Sequence, residues 1–122
     1  MDNRKKLGEI GENIAHEHLK SLGYKLVVKN YRIRTGEIDL IMTDKNTLVF
    51  IEVRTKSTSF FGSPAETVNY KKQKVIINTA NFFLYNHPVF QDSECRFDVV
   101  GIVINNQSNP EINHIKDAFI GH

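Results

Sequence analysis

The spacing of hydrophobic positions near the start of the chain predicts an amphipathic helix over about Asn3–Leu22. Gly23 follows it and is the expected C-terminal stop, because glycine readily adopts the left-handed conformation that ends many helices. The residues that share one side at about 100° per residue are Leu7, Ile10, Gly11, Ile14, Ala15, His18 and Leu22. This side is expected to pack on the core.

Three runs rich in β-branched and aromatic residues come next. They predict strands over Tyr24–Arg34, Glu37–Thr43 and Leu48–Lys56. Residues 44–47, Asp-Lys-Asn-Thr, have the composition of a turn and predict a hairpin between the second and third strands. Because both of these strands are mostly apolar, they are expected to lie inside the sheet rather than at its edge.

The second half of the chain predicts another helix and two more strands. Residues 63–66, Ser-Pro-Ala-Glu, resemble a capping box with proline at the first helical position, and a helix is expected from there to about Asn86, with a break near 68–69. Arg96–Asn105 and Ile112–Ile120 predict the last strands. This order predicts an α/β (α+β) fold in which a mixed central sheet carries helices on its faces.

Length and composition limit the class of protein. The 122 residues suit a single domain, 1–122, and a hydrophobic content of 40% with 25% charged residues excludes membrane, collagen-like and disordered chains. The lone Cys95 cannot form an internal disulfide, and no apolar segment follows the N-terminus as in a secretory signal. A reducing cytoplasm is therefore the expected location.

The charge distribution separates the chain into two unlike parts. The formal net charge is only +2, which excludes a strongly basic nucleic-acid coat but not nucleic-acid binding. Residues 1–74 contain 14 of the 16 Lys and Arg residues, whereas residues 75–122 are acidic overall. The basic character therefore coincides with the polar motifs.

A hairpin that turns at residues 45–46 would place Asp39 directly opposite Glu52. Directly opposed side chains lie on one face with Cβ atoms about 5 Å apart, and like charges so placed destabilise a sheet unless they are neutralised. An Asp and a Glu in an apolar sheet suit Mg²⁺, which binds oxygen ligands. Alternatively, a register shift of one residue would put them on opposite faces, or Lys56 or Lys72 could bridge them in place of a metal.

Two positively charged residues on the third strand extend the hypothesis of a metal site at Asp39 and Glu52. Arg54 and Lys56 share the face of Glu52 because strand side chains alternate with period two. Cations beside a metal site can orient a water molecule or stabilise the charge that develops on a phosphate. The alternative for Arg54 is a cross-strand ion pair with Glu37.

Three further charged residues are candidates from their positions. Glu12 lies at the border of the apolar face of the first helix, where its carboxylate either reaches over the sheet or remains in solvent. Lys72 lies on the core-facing side of the second helix near its start, and points either at the acids or at solvent. Asp98, in an apolar strand, is expected to have a structural partner such as Arg32 or Arg34.

These motifs occur together over nearly the whole chain and in a familiar order. They are Gly8-Glu9-x-Gly11-Glu12-x-x-Ala15, Gly36-Glu37-Ile38-Asp39-Leu40-Ile41, Phe50-Ile51-Glu52-Val53-Arg54-Thr55-Lys56, Phe61-Gly62, Lys72-Gln73 and Arg96-Phe97-Asp98-Val99-Val100. With them the chain resembles the YraN-like family of small bacterial proteins, which is assigned to the PD-(D/E)XK nuclease superfamily and resembles archaeal Holliday-junction resolvases in its core.

The resemblance implies a restriction-endonuclease-like αβββαβ fold and Mg²⁺- or Mn²⁺-dependent cleavage of DNA. It makes Asp39 and Glu52 the metal-binding acids, with the Val53 carbonyl as a further ligand. Glu12 matches the first-helix acid of the resolvase-like branch and would assist at the metal directly or through water. A chain of this size that acts on two strands could work as a homodimer.

The cations complete the implied site. Arg54 and Lys56 would contact the scissile phosphate or the attacking water as part of the catalytic set. Lys72 and Gln73, which form one of the family motifs, would lie with them at the nucleic acid.

Two positions depart from the superfamily motif and leave a second interpretation open. Ile38 replaces the proline, and Arg54 replaces the lysine two residues after the second acid. An arginine effectively cannot lose its proton, so Arg54 cannot act as a general base, although Lys56 or Lys72 could. The sequence therefore predicts a metal-dependent endonuclease acting on branched or otherwise structured DNA, or a non-catalytic nucleic-acid-binding or scaffold module that retains the nuclease fold.

Overall fold

The computed structural model describes residues 3–105 and 108–121. Its elements follow the predicted order, and the strand ends differ from the predicted ones by no more than two residues. They are α1 (Asn3–Ser21), β1 (Lys25–Ile33), β2 (Gly36–Asp44), β3 (Thr47–Lys56), α2 (Tyr70–Asn86), β4 (Glu94–Val103) and β5 (Glu111–Phe119), with short 3₁₀ helices at Pro64–Thr67 and Pro88–Phe90.

The five strands form one mixed sheet in the order β1-β2-β3-β4-β5, in which β3 and β4 are parallel and the other neighbours antiparallel. Helix α1 covers one face with a core that includes Ala15 and Leu19, and α2 covers the other with Ile76, Ala80 and Phe83. The mixed α/β fold with helices on both faces of the sheet is confirmed. Strands β2 and β3 lie inside the sheet, as their apolar composition predicts.

The break predicted inside the second helix is confirmed and fixes where α2 begins. The 3₁₀ helix Pro64–Thr67 starts with the predicted capping box between Ser63 and Glu66. A new N-cap then forms at Asn69, whose side chain accepts a hydrogen bond from the Lys72 backbone N–H at 2.8 Å. Lys72 is thereby held on the first turn of α2.

The buried side of α1 differs from the predicted one. Its buried residues are Gly11, Ala15 and Leu19, whereas Ile10 and Leu22 are 41% and 58% exposed. The buried stripe is therefore rotated toward Leu19, and Leu22 lies beyond the last turn.

A close contact at Gly11 explains this rotation. A Cβ atom built on Gly11 would lie 1.9 Å from the Thr55 Oγ1 atom of β3, so only glycine allows the helix to approach the sheet this closely. The approach brings the next residue, Glu12, to the edge of the sheet. None of the helices in residues 3–105 and 108–121 is long and apolar enough to cross a bilayer.

Candidate active site

The hairpin of β2 and β3 has the predicted register. Leu40 pairs with Ile51, and the pairing continues in step to Asp44 and Thr47. Just beyond this ladder, Asp39 Oδ2 accepts a hydrogen bond of 2.7 Å from the Val53 backbone N–H. A carboxylate thus takes the place of a backbone acceptor at the point where the two strands begin to separate.

The half-buried Asp39 and the buried Glu52 form an acid pair at this point. Burial and the negative charge of Glu52 together raise the pKa of Asp39 to about 8, although the hydrogen bond from the Val53 N–H opposes this shift. Burial also raises the pKa of Glu52, although the nearby Lys72 and Arg54 oppose this. The two carboxyl groups therefore cannot both ionise easily at neutral pH without an additional cation.

Two cations face Glu52 from different elements. Arg54 Nε lies 3.4 Å from Glu52 Oε2, and Lys72 Nζ lies 4.0 Å from the same oxygen. Arg54 Nε is buried and has no hydrogen-bond partner among the described residues. One side of the acid pair is thus lined by a guanidinium from β3 and an ammonium from α2.

The alternative ion pair between Arg54 and Glu37 is wrong. Glu37 instead accepts two hydrogen bonds from its strand partner Arg32, at 2.9 and 3.1 Å. The reason is the register of β1 and β2, which places Arg32 directly beside Glu37.

Asn30 organises the other side of the pair, and the sequence reasoning missed it. Its backbone adopts a positive φ of 53°, and the β1–β2 ladder skips the position where Asn30 would face Asp39. Its Nδ2 donates to Glu12 Oε1 at 2.8 Å and to Glu37 Oε1 at 3.3 Å. The available signal was an asparagine inside a run of strand-forming residues, since asparagine is rare in strands and tolerates the left-handed region.

A surface cleft of about 520 Å³ adjoins these residues. It is lined by Lys5, Gly8, Glu9, Glu12, Asn30, Arg32 and Glu37. The negative charges of Glu12 and Glu37 add to the rise in the pKa of Asp39, so the cleft and the acid pair form one electrostatic unit.

Two further predicted site residues, Lys56 and Gln73, contact groups other than the acid pair. Lys56 Nζ lies 5.2 Å from the centre of the Phe60 ring, and Gln73 Nε2 donates to the Val68 carbonyl at 3.0 Å. Residues 3–105 and 108–121 contain no group of three or more His, Cys, Asp or Glu side chains that could hold a metal ion. The site therefore offers two carboxylates, with the Glu12 carboxylate bound to Asn30 at its border.

Comparison with known proteins shows to which family this chain belongs. The model of the uncharacterised protein family UPF0102 matches residues 11–102, which include Glu12, Asp39, Glu52 and Lys72. The chain belongs to this family. The YraN-like resemblance is thereby supported at the level of the family.

Curated UPF0102 proteins match this chain over almost their whole length. A UPF0102 protein of Natranaerobius thermophilus is 44% identical over 118 residues, which are 96% of this chain and 99% of the relative. One from Alkaliphilus oremlandii is 42% identical over 116 residues, or 94% and 98% of the two chains. One from Clostridium botulinum is 40% identical over 116 residues, or 94% of each.

Another acid of this UPF0102 chain, Asp98, has structural partners, as predicted, but they are not the predicted residues. Asp98 is fully buried in β4 and accepts hydrogen bonds from Arg96 on its own strand, at 2.9 and 3.0 Å. It also lies 2.7 Å from the Nε2 atom of His114 and accepts from the Asp117 backbone N–H at 3.0 Å. The predicted partners, Arg32 and Arg34, are wrong because they lie on β1 or just beyond it, three strands away from β4.

Proposed function

We propose that this protein is a metal-dependent DNA endonuclease that hydrolyses a phosphodiester bond at the acid pair. The observation that carries the proposal is the geometry of the half-buried Asp39 and the buried Glu52, a carboxylate pair with Arg54 and Lys72 on one side. Buried like charges of this kind are costly unless a bound cation neutralises them. The resemblance to the PD-(D/E)XK nucleases supports the same assignment.

The donor set suits Mg²⁺ or Mn²⁺. Asp39 and Glu52 supply carboxylate oxygens, the ligands that these hard cations prefer, and water molecules can complete the coordination. The N–H and C=O groups of one strand residue point to the same side, so the Val53 carbonyl is expected to face the Asp39 side, as its N–H does. A metal held there would polarise a phosphoryl oxygen and lower the pKa of a bound water.

The positively charged side chains at and near the acid pair would bind the DNA phosphate and assist its hydrolysis. The guanidinium of Arg54 is half-buried and its Nε–H makes no hydrogen bond to any described residue, so the group is suited to donate to a phosphate oxygen. Lys72 can lose a proton more readily than an arginine, so it is the better candidate for the role of the motif lysine. Lys56 and Gln73 would contact the nucleic acid further from the reaction, and Glu12 would assist through water from the border of the site.

Branched or otherwise structured DNA is the proposed substrate class. The basic residues are concentrated in the first 74 positions, where the acid pair lies, and would attract the phosphate backbone. A homodimer would supply two such sites for two strands.

The test is a cleavage assay with a matched inactive control. Purified protein is incubated with duplex, forked, four-way-junction and single-stranded DNA in Mg²⁺ or Mn²⁺, alongside an Asp39→Ala/Glu52→Ala double variant. We expect cleavage by the wild type that requires the metal and is absent from the variant. Equal products from both proteins would exclude the enzyme.

A non-catalytic nucleic-acid-binding or scaffold module is the second candidate, and Arg54 favours it. The motif lysine is absent at this position, and an arginine cannot act as a base. This candidate predicts salt-dependent DNA binding without turnover and little affinity for metal. Calorimetric titration with Mn²⁺ separates the two, because only the enzyme needs tight metal binding that Asp39→Asn abolishes.

A further inference from the structure

The loop that follows β3 presents an aromatic side chain to solvent beside the candidate site. Phe61 is 95% exposed, which is more than any other large hydrophobic side chain among residues 3–105 and 108–121. One exposed hydrophobic residue has little meaning by itself. Its attachment, its position and its neighbours give this one a specific interpretation.

Phe61 is attached to a turn that is held on both sides. On one side, a Cβ atom built on Gly101 would lie 3.3 Å from Phe60 and 2.3 Å from Pro64, so both rings pack directly on the backbone of β4. On the other side, Gly62 has a positive φ of 76°, and Glu66 Oε2 accepts from the backbone N–H of Ser63 at 3.2 Å. The backbone that carries Phe61 is therefore held in place, which lowers the entropic cost of using its ring in binding.

The position of this turn is set by the strand that carries the acid pair. Gly101, on which Phe60 packs, is the strand partner of Arg54, and the ammonium of Lys56 lies over the Phe60 ring. Along β3, Glu52, Arg54 and Lys56 follow one another at intervals of about 7 Å. An acid of the pair and two cations thus follow one another along β3, and the ring of Phe60, the residue before Phe61, lies beside the last cation.

The neighbours of Phe61 fit a nucleic acid better than an apolar protein surface. The loop residues around it are small and polar, namely Ser57, Thr58, Ser59 and Gly62, and they are exposed. An apolar protein interface would need a contiguous hydrophobic patch at its centre. Cations spaced along a strand next to an isolated aromatic ring are instead typical of sites that bind single strands, where phosphates meet the cations and bases stack on the ring.

We propose that Phe61 stacks on an unpaired DNA base a short distance along the strand from the phosphate at the acid pair, so that the protein selects DNA whose bases are accessible there, as in a single-stranded tail or a branch point. The location of the phosphate rests on the proposed function. An intact duplex hides its base faces, so it cannot use this ring. Phe61 is therefore a specificity-determining residue for single-stranded character.

The absence of tryptophan from the chain makes a direct test feasible. Phe61→Trp introduces the only indole, whose fluorescence is quenched when a base stacks on it. The measurements use an Asp39→Asn/Glu52→Gln background without metal, which removes turnover and the negative charge of the pair. The probes are a single strand of about 16 nucleotides and a duplex of the same length. We expect strong quenching by the single strand and little by the duplex.

Tyr85→Trp in the same background is the matched control. Tyr85 is also exposed, at 80%, but lies thirteen residues after Lys72 on α2, or roughly 20 Å along the helix axis. Its indole should not respond to either probe. Similar quenching at both positions would show non-specific contact and overturn the proposal.

Affinity gives the second measurement. Phe61→Ala should weaken single-strand binding roughly 5- to 150-fold, the effect of losing one stacked base, and should leave duplex binding unchanged. Phe61→Tyr keeps the ring and should restore binding. The midpoint of thermal unfolding should be the same in all three proteins, because the side chain is exposed.

The outcomes separate this inference from the proposed function. Metal-dependent cleavage that is equally efficient in wild type and Phe61→Ala would overturn the role of Phe61 and leave the nuclease standing. Selective quenching by a single strand, in a protein whose wild type cleaves no DNA, would support the role of Phe61 in binding and exclude the nuclease. A change in sedimentation on Phe61→Ala with unchanged DNA affinity would assign the ring to a protein interface and overturn the proposal.

Discussion

Lys72 Nζ lies 4.0 Å from Glu52 Oε2, so a lysine from the first turn of α2 faces the acid of β3 that Arg54 also faces. This contact singles out Lys72 among the lysines that could replace the motif lysine, because Lys56 lies over the Phe60 ring instead.

The first prediction is that Lys72→Ala lowers the rate of DNA cleavage at least about 100-fold, as expected for loss of a general acid–base or charge-stabilising group. Lys72→Arg keeps the positive charge but cannot readily lose a proton, so it distinguishes the two roles. Single-turnover kinetics with excess protein provide the measurement. Lys71→Ala, at an exposed neighbouring position, is the control, and an equal loss in that variant would remove Lys72 from the site.

The second prediction concerns the stability of the acid pair. The pKa of Asp39 is raised from 3.8 to about 8, so the metal-free protein should lose stability as pH rises from about 4 to 8 and this carboxyl is forced to ionise in the folded state. Asp39→Asn keeps an oxygen that can accept from the Val53 N–H but carries no charge. In EDTA, the melting temperature of the variant should therefore exceed that of wild type by roughly 5 °C at pH 8 and by much less at pH 4.

Addition of Mn²⁺ provides the counter-experiment. The ion should raise the melting temperature of wild type at pH 8 and have little effect on Asp39→Asn, because binding to the folded state alone stabilises it. A difference between the proteins that stays constant from pH 4 to 8 would contradict the raised pKa.

The third prediction uses two glycines of the same helix. Gly11→Ala should destabilise the protein by about 1–3 kcal/mol, because the new methyl group would meet Thr55 Oγ1 at 1.9 Å and push α1 away from β3. Gly8→Ala, where no atom lies within 4 Å of the new methyl group, should be neutral or stabilise by up to about 1 kcal/mol through helix propensity. Urea unfolding measures both. The same displacement should weaken the contact between Glu12 and Asn30. Equal stability of the Gly11→Ala and Gly8→Ala variants would contradict the close approach of α1 to β3 at Gly11.

The acid pair could be predicted from the sequence because it depends on local rules. The turn at Lys45, which adopts a positive φ of 56°, and the alternation of strand residues fix the hairpin register without information from the rest of the chain. The same rules give Arg54 the face of Glu52. The break before α2 was also local, since the capping residues lie within a few positions of it.

Contacts between distant elements could not be predicted in this way. Asn30 joins Glu12 of α1 to Glu37 of β2, which requires the packing of three elements to be known. Strand alternation predicts that Lys56 lies on the same face as Arg54, but it cannot predict that the ammonium of Lys56 contacts the ring of Phe60 in the loop after β3. The partner of Asp98 on β5 depends on which strand lies beside β4, and the periodicity of either strand alone does not encode this.

The fourth prediction concerns this buried cluster. Burial alone would raise the pKa of Asp98, but the hydrogen bonds from His114 and Arg96 outweigh it and hold the pKa below its ordinary value of 3.8. A carboxyl with a lowered pKa contributes stability above its unfolded value, and this contribution is lost as pH falls through 3.8 and below. Asp98→Asn leaves Arg96 without its buried counter-charge and should cost about 3–5 kcal/mol at pH 7.

The variant should also lose part of the pH dependence. Between pH 7 and pH 3, the free energy of unfolding should fall less in Asp98→Asn than in wild type, because the variant has no carboxylate to protonate at this position. Urea titrations at the two pH values measure the difference, and Asp92→Asn, at an exposed position in the turn before β4, should behave as wild type. If the free energy of unfolding of Asp98→Asn instead falls as much as that of wild type, the acid sensitivity originates at other groups. The charge of Asp98 would then not contribute to holding β5 against β4.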